Sequence, residues 1–195
     1  MLSSMSGLRE SKRAHTRAAL ASAAFDLVRE RGLAAVTVDD IVATVPVSRR
    51  TFSNYFTSKE EAVAAVITER ARAGLETWMP PSVGDNVVEL VPSLVAHQVG
   101  SGVLEVVREV AALARKHPAL LPHWQAAQWS AWLLVGDRLR AVEGADAASG
   151  VEVAALLGAL HGIASQLVLA PTTNLDVLGL VRRLVEVVHQ WAREG

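Results

Sequence analysis

Two adjacent arginines, Arg49 and Arg50, are the residues of this chain best suited to bind another molecule, because of what surrounds them. Ser48 is a good N-cap and predicts that a helix begins there. Phe52 and Phe56 are four residues apart on one face of that helix, which must be buried, so the arginines face outward. A guanidinium fork matches the two acceptors on a guanine edge and also pairs with phosphate. The pair therefore indicates DNA binding, and a solvated surface pair is the alternative interpretation.

A second short helix is predicted immediately before these arginines. Thr37 followed by Asp40 is typical of a capping box, and the helix that it begins would run to about Thr44. Pro46 has no N–H and disfavours a helical conformation in the residue before it, so the chain turns at residues 45–47. Two short helices joined by such a turn form a helix-turn-helix, whose second helix places its first residues against base edges in the major groove.

The order of residues in this region resembles a known family. GLAAVTVDDIV followed by VSRRTFSNYFTSKEEAV is similar to the N-terminal DNA-binding domain of the tetracycline-repressor (TetR) family of transcriptional regulators, over about residues 14 to 66. The resemblance implies contacts with double-stranded operator DNA, and the candidate DNA-binding residues are Thr37, Ser48, Arg49, Arg50, Thr51, Ser53, Asn54, Tyr55 and Lys59. Two departures from the family pattern, Val45-Pro46 in the turn and Ser53 after the Thr-Phe pair, mean that the operator sequence cannot be transferred from relatives.

Composition and charge agree with a helical protein that meets a polyanion through its first part. The 195 residues are 51% hydrophobic and include no cysteine, which excludes disulfides, thiolate metal sites and cysteine nucleophiles. Residues 1–60 carry nine Lys and Arg against six acids, whereas the remainder carries ten against fourteen. This asymmetry favours DNA contact by the basic segment alone. The first residues lack the apolar core of a signal peptide, so a cytoplasmic location is expected.

The predicted architecture is all-α, with an N-terminal three-helix DNA-binding domain and a C-terminal helical domain for ligand binding and dimerisation. We expect a flexible N-terminal arm at residues 1–12 and the helix-turn-helix domain with its connecting helix at residues 13–78. The effector-binding and dimerisation domain would then occupy residues 79–195. The family resemblance, and not a motif of its own, assigns the function of this last domain.

The helix boundaries follow from caps, glycines and prolines. The first helix should run from about Ser11 to Arg31, and the connecting helix should run from Lys59 to about Trp78, where a Pro- and Gly-rich loop at residues 79–84 follows. Further helices are expected at roughly 85–98, 102–116, 119–142, 147–170 and 175–193.

Tryptophans are concentrated in the C-terminal part of the chain. Trp124, Trp129 and Trp132 lie within one predicted helix, whereas the whole chain has one Tyr and three Phe. These indoles could line an apolar cavity for a small-molecule effector, and packing in the core or in a dimer contact is the alternative. The candidate ligand-binding residues are Trp78, His97, Trp124, Gln128, Trp129, Trp132 and His161. No His pair has the spacing of a metal site, so neither a metal nor a cofactor is expected.

The last two predicted helices indicate a homodimer. Residues 151–170 are apolar nearly all round, so this helix must be covered on several sides, and the final helix covers one of them. A second chain would cover the rest, and the family resemblance implies a four-helix dimer interface. The expected function is that of a repressor which a small apolar ligand releases from a pseudo-palindromic operator. A helical homodimeric interaction protein without DNA binding is the alternative, and no set of nucleophile, base and orienting group indicates an enzyme.

Overall fold

The computed structural model describes residues 2–81, 88, 90–142, 150–169 and 176–194. Its α-helices are α1 (Leu2–Arg31), α2 (Val38–Thr44), α3 (Arg49–Ser53), α4 (Lys59–Thr77), α5 (Leu90–Gly100), α6 (Val103–Lys116), α7 (Leu121–Arg140), α8 (Gly150–Leu169) and α9 (Val177–Glu194). Short 3-10 helices at Leu33–Ala35 and Pro118–Leu120 precede α2 and α7. These ranges contain no strand, and the predicted all-α fold with an N-terminal helix-turn-helix and a C-terminal helical domain is confirmed.

The helix ends lie within two residues of the predicted ones, apart from the start of α1 and the starts of α5 and α8, where the preceding predicted residues lie mostly outside the described ranges. α1 begins at Leu2 and not at about Ser11, so the residues expected to form a flexible arm are helical. No proline interrupts this stretch, and a helix that is already nucleated extends at little cost. Pro118 begins a separate 3-10 helix, so α7 begins only at Leu121. Residues 82–84 of the predicted loop lie outside the described residues, and the predicted domain boundaries stay predictions.

A first hydrophobic core lies beneath the helix-turn-helix. Ile41, Phe52 and Phe56 are buried in it. An apolar stripe of α1 is buried in the same core and consists of Leu20, Ala23, Ala24, Leu27 and Val28. The core then continues along α4 to Val110 of α6 and Trp124 of α7. α4 therefore joins the helix-turn-helix to the C-terminal helices through continuous apolar packing.

A second hydrophobic core is formed by the end of α4, α5, the second half of α7, α8 and α9. Leu94, Leu139 and Leu156 are fully buried in it. Val181 and Val185 of α9 are buried there too, which confirms that the last two predicted helices pack together. Among the described helices, none is by itself long and apolar enough to cross a membrane, and α5 with α6, bent by 67°, passes that test as a pair.

Candidate nucleic-acid interface and ligand cavity

The capping box at the start of α2 is formed as predicted. The backbone N–H of Thr37 donates to Oδ2 of Asp40 at 2.8 Å, and the N–H of Asp40 donates to Oγ1 of Thr37 at 3.2 Å. Hydrogen bonds from the hydroxyl and then from the N–H of Thr37, with the charge of Arg31, hold the pKa of Asp40 below its ordinary value. The hydroxyl of Thr37, a predicted DNA-binding group, is thus already engaged in the cap.

α3 holds the two arginines at the surface. Ser48 is its N-cap, and the Ser48 hydroxyl accepts a hydrogen bond from the N–H of Thr51 at 3.1 Å. Phe52 and Phe56 are each 2% exposed, and their ring centroids lie 5.7 Å apart. The remaining candidates of this segment are either exposed, namely Arg49, Arg50, Ser53 and Asn54, or half-buried, namely Thr51 and Tyr55. The buried rings fix which way the helix faces, and the guanidinium groups are left on the outer side.

The two arginines differ in what they contact. Nη1 of Arg49 lies 3.1 Å from Oδ2 of Asp39 on α2, and both side chains are about two-thirds exposed. Such an exposed ion pair contributes little to stability, so a phosphate group can replace Asp39 as the partner. The guanidinium of Arg50 has no hydrogen bond or ion pair to any described residue, and in this it differs from that of Arg49.

Lys59, which was predicted to contact DNA, is held by the protein itself. Its Nζ donates hydrogen bonds to the backbone carbonyl oxygens of Leu33 and Val36, each at 2.7 Å. These carbonyls belong to the 3-10 turn between α1 and α2, so the first residue of α4 fixes the entry to the helix-turn-helix. The partners stand 26 and 23 residues away in sequence, which is why no local pattern revealed this contact.

The start of α4 is capped in a different way. The Ser58 hydroxyl accepts a hydrogen bond from the N–H of Glu61 at 3.1 Å, but the Glu61 carboxylate accepts from the N–H and hydroxyl of Thr57 and not from Ser58. Partial burial acts to raise the pKa of Glu61. The Thr57 hydrogen bonds and the charges of His123 and Arg17 outweigh it and lower that pKa below its ordinary value.

Arg17 of α1 is a positioning residue that the sequence did not reveal. Its Nε lies 2.9 Å from Oε1 of Glu69 on α4, and its Nη1 donates to the carbonyl oxygen of Tyr55 at 3.2 Å. The guanidinium carbon also lies 4.6 Å from the centroid of the Phe56 ring. This side chain therefore ties α1 and α4 to the segment that follows α3.

An apolar cavity of about 110 Å³ lies between the helices from α4 to α9, all of which contribute to its lining. Gln128 and Trp132 of α7, two of the candidate ligand-binding residues, line it. Gln98 of α5 lines it as well and was not predicted; its Nε2 donates to the carbonyl oxygen of Ala71 at 3.0 Å. Gly74 makes this close approach possible, because a Cβ at that position would collide with the Gln98 amide.

Three other candidate ligand-binding residues, Trp78, His97 and Trp124, do not line this cavity. Trp124 is 1% exposed within the first core. Trp78 is buried in the second core, where the guanidinium of Arg138 lies 5.2 Å from its ring centroid. Nε2 of His97 lies 3.0 Å from the hydroxyl of Thr77. These three side chains stabilise packing and helix ends, which is the alternative that the sequence left open for the indoles.

Trp129 and His161 also lie outside the cavity lining. The Trp129 side chain is 52% exposed, and its ring meets that of His161 edge to face at a centroid distance of 5.5 Å. Trp129 is one residue after Gln128, and neighbouring residues of a helix point in directions about 100° apart. No group of three or more His, Asp or Glu side chains in the described part of the chain is placed to hold a metal ion.

Residues 20–66 match the family model of bacterial regulatory proteins, tetR family. A solved structure of a protein from Mesorhizobium loti MAFF303099, assigned to the TetR family of transcriptional regulators, is 15% identical to this chain. The superposition covers 91% of this chain and 95% of the Mesorhizobium loti chain, with a TM-score of 0.47. No curated protein matches the chain. The matched segment includes α2, α3 and the start of α4, and with them the candidate DNA-binding residues from Thr37 to Lys59.

Proposed function

We propose, from the match of residues 20–66 to the family model of bacterial regulatory proteins, tetR family, that this chain is a DNA-binding transcriptional regulator and acts as a repressor. In this proposal it binds a pseudo-palindromic operator as a homodimer and leaves the operator when a small apolar ligand enters the cavity. The observation that supports DNA reading most directly is the exposed Arg50 guanidinium on a helix that is capped by Ser48 and seated on buried Phe52 and Phe56.

The DNA-binding part of the proposal is tested by selecting bound fragments from genomic DNA and then changing α3. Arg50→Ala should lose about 1 to 3 kcal/mol on the selected site, since a bidentate contact to guanine is worth that much. Arg70→Ala, an exposed arginine on α4, is the matched control and should change little. If Arg49 and Arg50 are both replaced and the ranking of base-substituted duplexes is unchanged, α3 does not read the sequence. Absence of salt-dependent binding to any duplex would favour a helical interaction protein instead.

Release by a ligand is supported by the position of α4. Ile67 and Ala71 of this helix line the cavity, while Lys59 at its first residue is bound to the turn before α2. Next to Ile67, the buried hydroxyl of Thr68 donates a hydrogen bond to the carbonyl oxygen of Ala127 on α7 at 3.0 Å. A ligand that moves α4 would therefore move the helix-turn-helix with it. It shifts the equilibrium between two spacings of the DNA-binding units only by its difference in affinity for them.

The dimer contact is assigned in this proposal to the outer face of α8 and to α9. Ala154, Ala155, Gly158 and Gly162 are exposed in the single chain, and a Cβ at either glycine would meet nothing within 4 Å. Glycine inside an exposed helix costs about 1 kcal/mol relative to alanine, so one chain alone gives no physical reason for these glycines. A second helix at close range does, because it needs the space that a Cβ would occupy. Val187 of α9 is 62% exposed and would be covered by the same contact.

Gly158→Glu tests this dimer without disturbing the packing of one chain. We expect light scattering to show monomers, and tight binding to the operator to be lost, because two half-sites about 34 to 36 Å apart are engaged together only by a dimer. Ala73→Glu, which places the same side chain on the exposed side of α4, should leave the dimer intact. A dimer that persists in Gly158→Glu would place the interface elsewhere.

A further inference from the structure

The first turns of α1 extend beyond the two hydrophobic cores. Residues 7–15, which we call the α1 extension, are all exposed, and from Gly7 onward the first buried side chain is Leu20. None of these nine residues belongs to either core. A helix that buries no apolar face gains little from packing, so the α1 extension adds little to the stability of one chain.

Positive charge without a partner collects in the α1 extension. Arg9, Lys12 and Arg13 stand beside one acid, Glu10, and none of the three has a hydrogen bond or ion pair to a residue that the structure describes. The other lysines and arginines of residues 2–60, except Arg50, are engaged by acids or by carbonyl oxygens; they are Arg17, Arg29, Arg31, Arg49 and Lys59. The unpaired positive charge of this segment therefore lies on α3 and on the α1 extension.

Contacts along α1 show where the α1 extension lies relative to α3. Arg17 donates to the carbonyl oxygen of Tyr55, just after the end of α3. From Arg17, α1 crosses the helix-turn-helix to the start of α2, where Nη1 of Arg31 lies 3.7 Å from Oδ1 of Asp40. The residues before Arg17 therefore leave the helix-turn-helix on the opposite side, past Tyr55.

Arg9 and Arg13 continue the stripe of Arg17, because residues four apart lie on the same side of a helix. At about 1.5 Å per residue, they lie about 12 and 6 Å beyond Arg17 along the helix axis. The five residues of α3 span about 7.5 Å, and the major groove is about 12 Å wide. With α3 in the groove, Tyr55 thus lies near the sugar-phosphate backbone that borders it, and the two arginines follow.

The composition of the α1 extension favours a polyanion over another protein as its partner. Leu8 is the one large apolar side chain among residues 7–15, which is too little for the apolar centre of a protein interface. Guanidinium groups match phosphate in charge and in geometry. DNA is the polyanion that α3 already brings to this side of the protein in the proposed function.

We propose that the α1 extension is a second DNA contact, in which Arg9 and Arg13 bind phosphate groups of the backbone next to the half-site, on the side of Tyr55. Phosphate contacts position a protein on DNA without reading its sequence. α3 then specifies the site, and the α1 extension adds affinity that is independent of sequence. This inference rests on the proposed function, because it adds a contact to the same complex.

The full-length double variant with Arg9→Gln and Arg13→Gln tests this contact on a selected operator. Both positions are exposed and glutamine favours helices as arginine does, so circular dichroism and the midpoint of unfolding should not change. We expect the affinity to fall about tenfold or more at physiological salt, and the slope of log affinity against log salt to fall by about 1 to 2. The ranking of base-substituted duplexes should stay the same, in contrast to the effect of replacing Arg50.

Two further variants separate a contact from a mere loss of charge. Arg70→Gln with Lys116→Gln removes two positive charges at exposed positions of α4 and α6 and should leave the salt dependence unchanged. Arg9→Lys with Arg13→Lys keeps both charges and should keep most of the salt dependence, because lysine also binds phosphate. If the Arg70 and Lys116 variant loses as much affinity as the Arg9 and Arg13 variant, net charge explains the effect and the inference is wrong.

Single methylphosphonate substitutions in the operator, each of which removes the charge of one phosphate, locate the contact. We expect the unmodified protein to lose affinity at one or two phosphates next to the half-site, where the double variant with glutamines loses none. Identical profiles for the two proteins would overturn the inference, while specific operator binding by both would leave the proposed function intact. If the unmodified protein binds no duplex even at low salt, the proposed function itself fails, and this inference fails with it.

Discussion

The helix-turn-helix and the C-terminal helices differ in how their helices begin. The N-caps of α2, α3 and α4 are Thr37, Ser48 and Ser58, and each accepts a hydrogen bond from the first turn of its helix. The N-caps of α6 and α7 make no side-chain hydrogen bond, whereas α9 is capped, since Oδ1 of Asp176 accepts from the N–H of Gly179 at 2.9 Å. Side-chain caps therefore begin each of these three helices of the first region but only some of the helices of the second, which are held mainly by apolar packing.

This difference suits the roles proposed for the two regions. Hydrogen bonds are directional, and the capped helices hold Arg50 in one orientation relative to the rest of the helix-turn-helix. Apolar packing is not directional, so the helices around the cavity can contact ligands of different shape without losing specific hydrogen bonds. α4 belongs to both regions, because it is capped at its start by Ser58 and lines the cavity with Ile67 and Ala71.

The largest predicted effect is a loss of stability when apolar packing around α7 is removed. Trp124→Ala should lower the free energy of unfolding by about 3 to 5 kcal/mol, because it removes a large side chain that is 1% exposed. Trp129→Ala, on the same helix but 52% exposed, should change it by no more than about 0.5 kcal/mol. Chemical denaturation of the two variants measures both values. Similar losses for the two would show that Trp129 is covered in the assembled protein, for example by a second chain.

The sequence revealed the first region well because its signals are local. A serine or threonine three residues before the N–H that it caps is visible in a short window, as is the pair Phe52 and Phe56. The roles of Arg17 and Lys59 were missed because their partners lie far along the chain. The start of α1 was also missed, because no residue before Ser11 marks where a helix must stop.

The cavity could be predicted only in part, for a physical reason. Six helices line it, so its members are adjacent in space and not in sequence. Indole density pointed to Trp132, which does line the cavity, but also to Trp129, which is on the surface, because amino-acid type does not tell which side of α7 faces inward. Gln98 carries no sequence signal of its own, since glutamine is a residue type that is mostly exposed.

The next largest predicted effect is a loss of stability when the hydrogen bonds of Lys59 are removed. Lys59→Met keeps the length of the side chain and removes the ammonium group, which leaves the carbonyl oxygens of Leu33 and Val36 without their partner. We expect a loss of about 1.5 to 3 kcal/mol in the free energy of unfolding, the range for hydrogen bonds to charged groups. Lys12→Met, an exposed lysine of α1, is the control and should be neutral.

DNA binding by Lys59→Met decides between two roles of the lysine. If Lys59 acts by positioning, weakened binding should be restored by conditions that stabilise the fold, such as added osmolyte at low temperature. If it contacts phosphate, binding to all duplexes stays weaker under those conditions and the salt dependence falls by about one charge. Unchanged stability in this variant would contradict the positioning role.

The smallest effect is a dependence on pH that should be confined to the helix-turn-helix. The pKa values of Asp40 and Glu61 lie below their ordinary values of 3.8 and 4.5, so the folded protein binds these protons more weakly than the unfolded chain does. The stability that they contribute is present above those ordinary values and is lost as the pH falls through the lower pKa values of the folded state. Hydrogen exchange at acidic pH should therefore show α2 and the start of α4 opening before α7, whose cap contains no carboxylate. Asp40→Asn should reduce this dependence on pH in α2, whereas Glu30→Gln on the exposed side of α1 should not. If all three helices open at the same pH, the two regions do not differ in how their stability depends on pH.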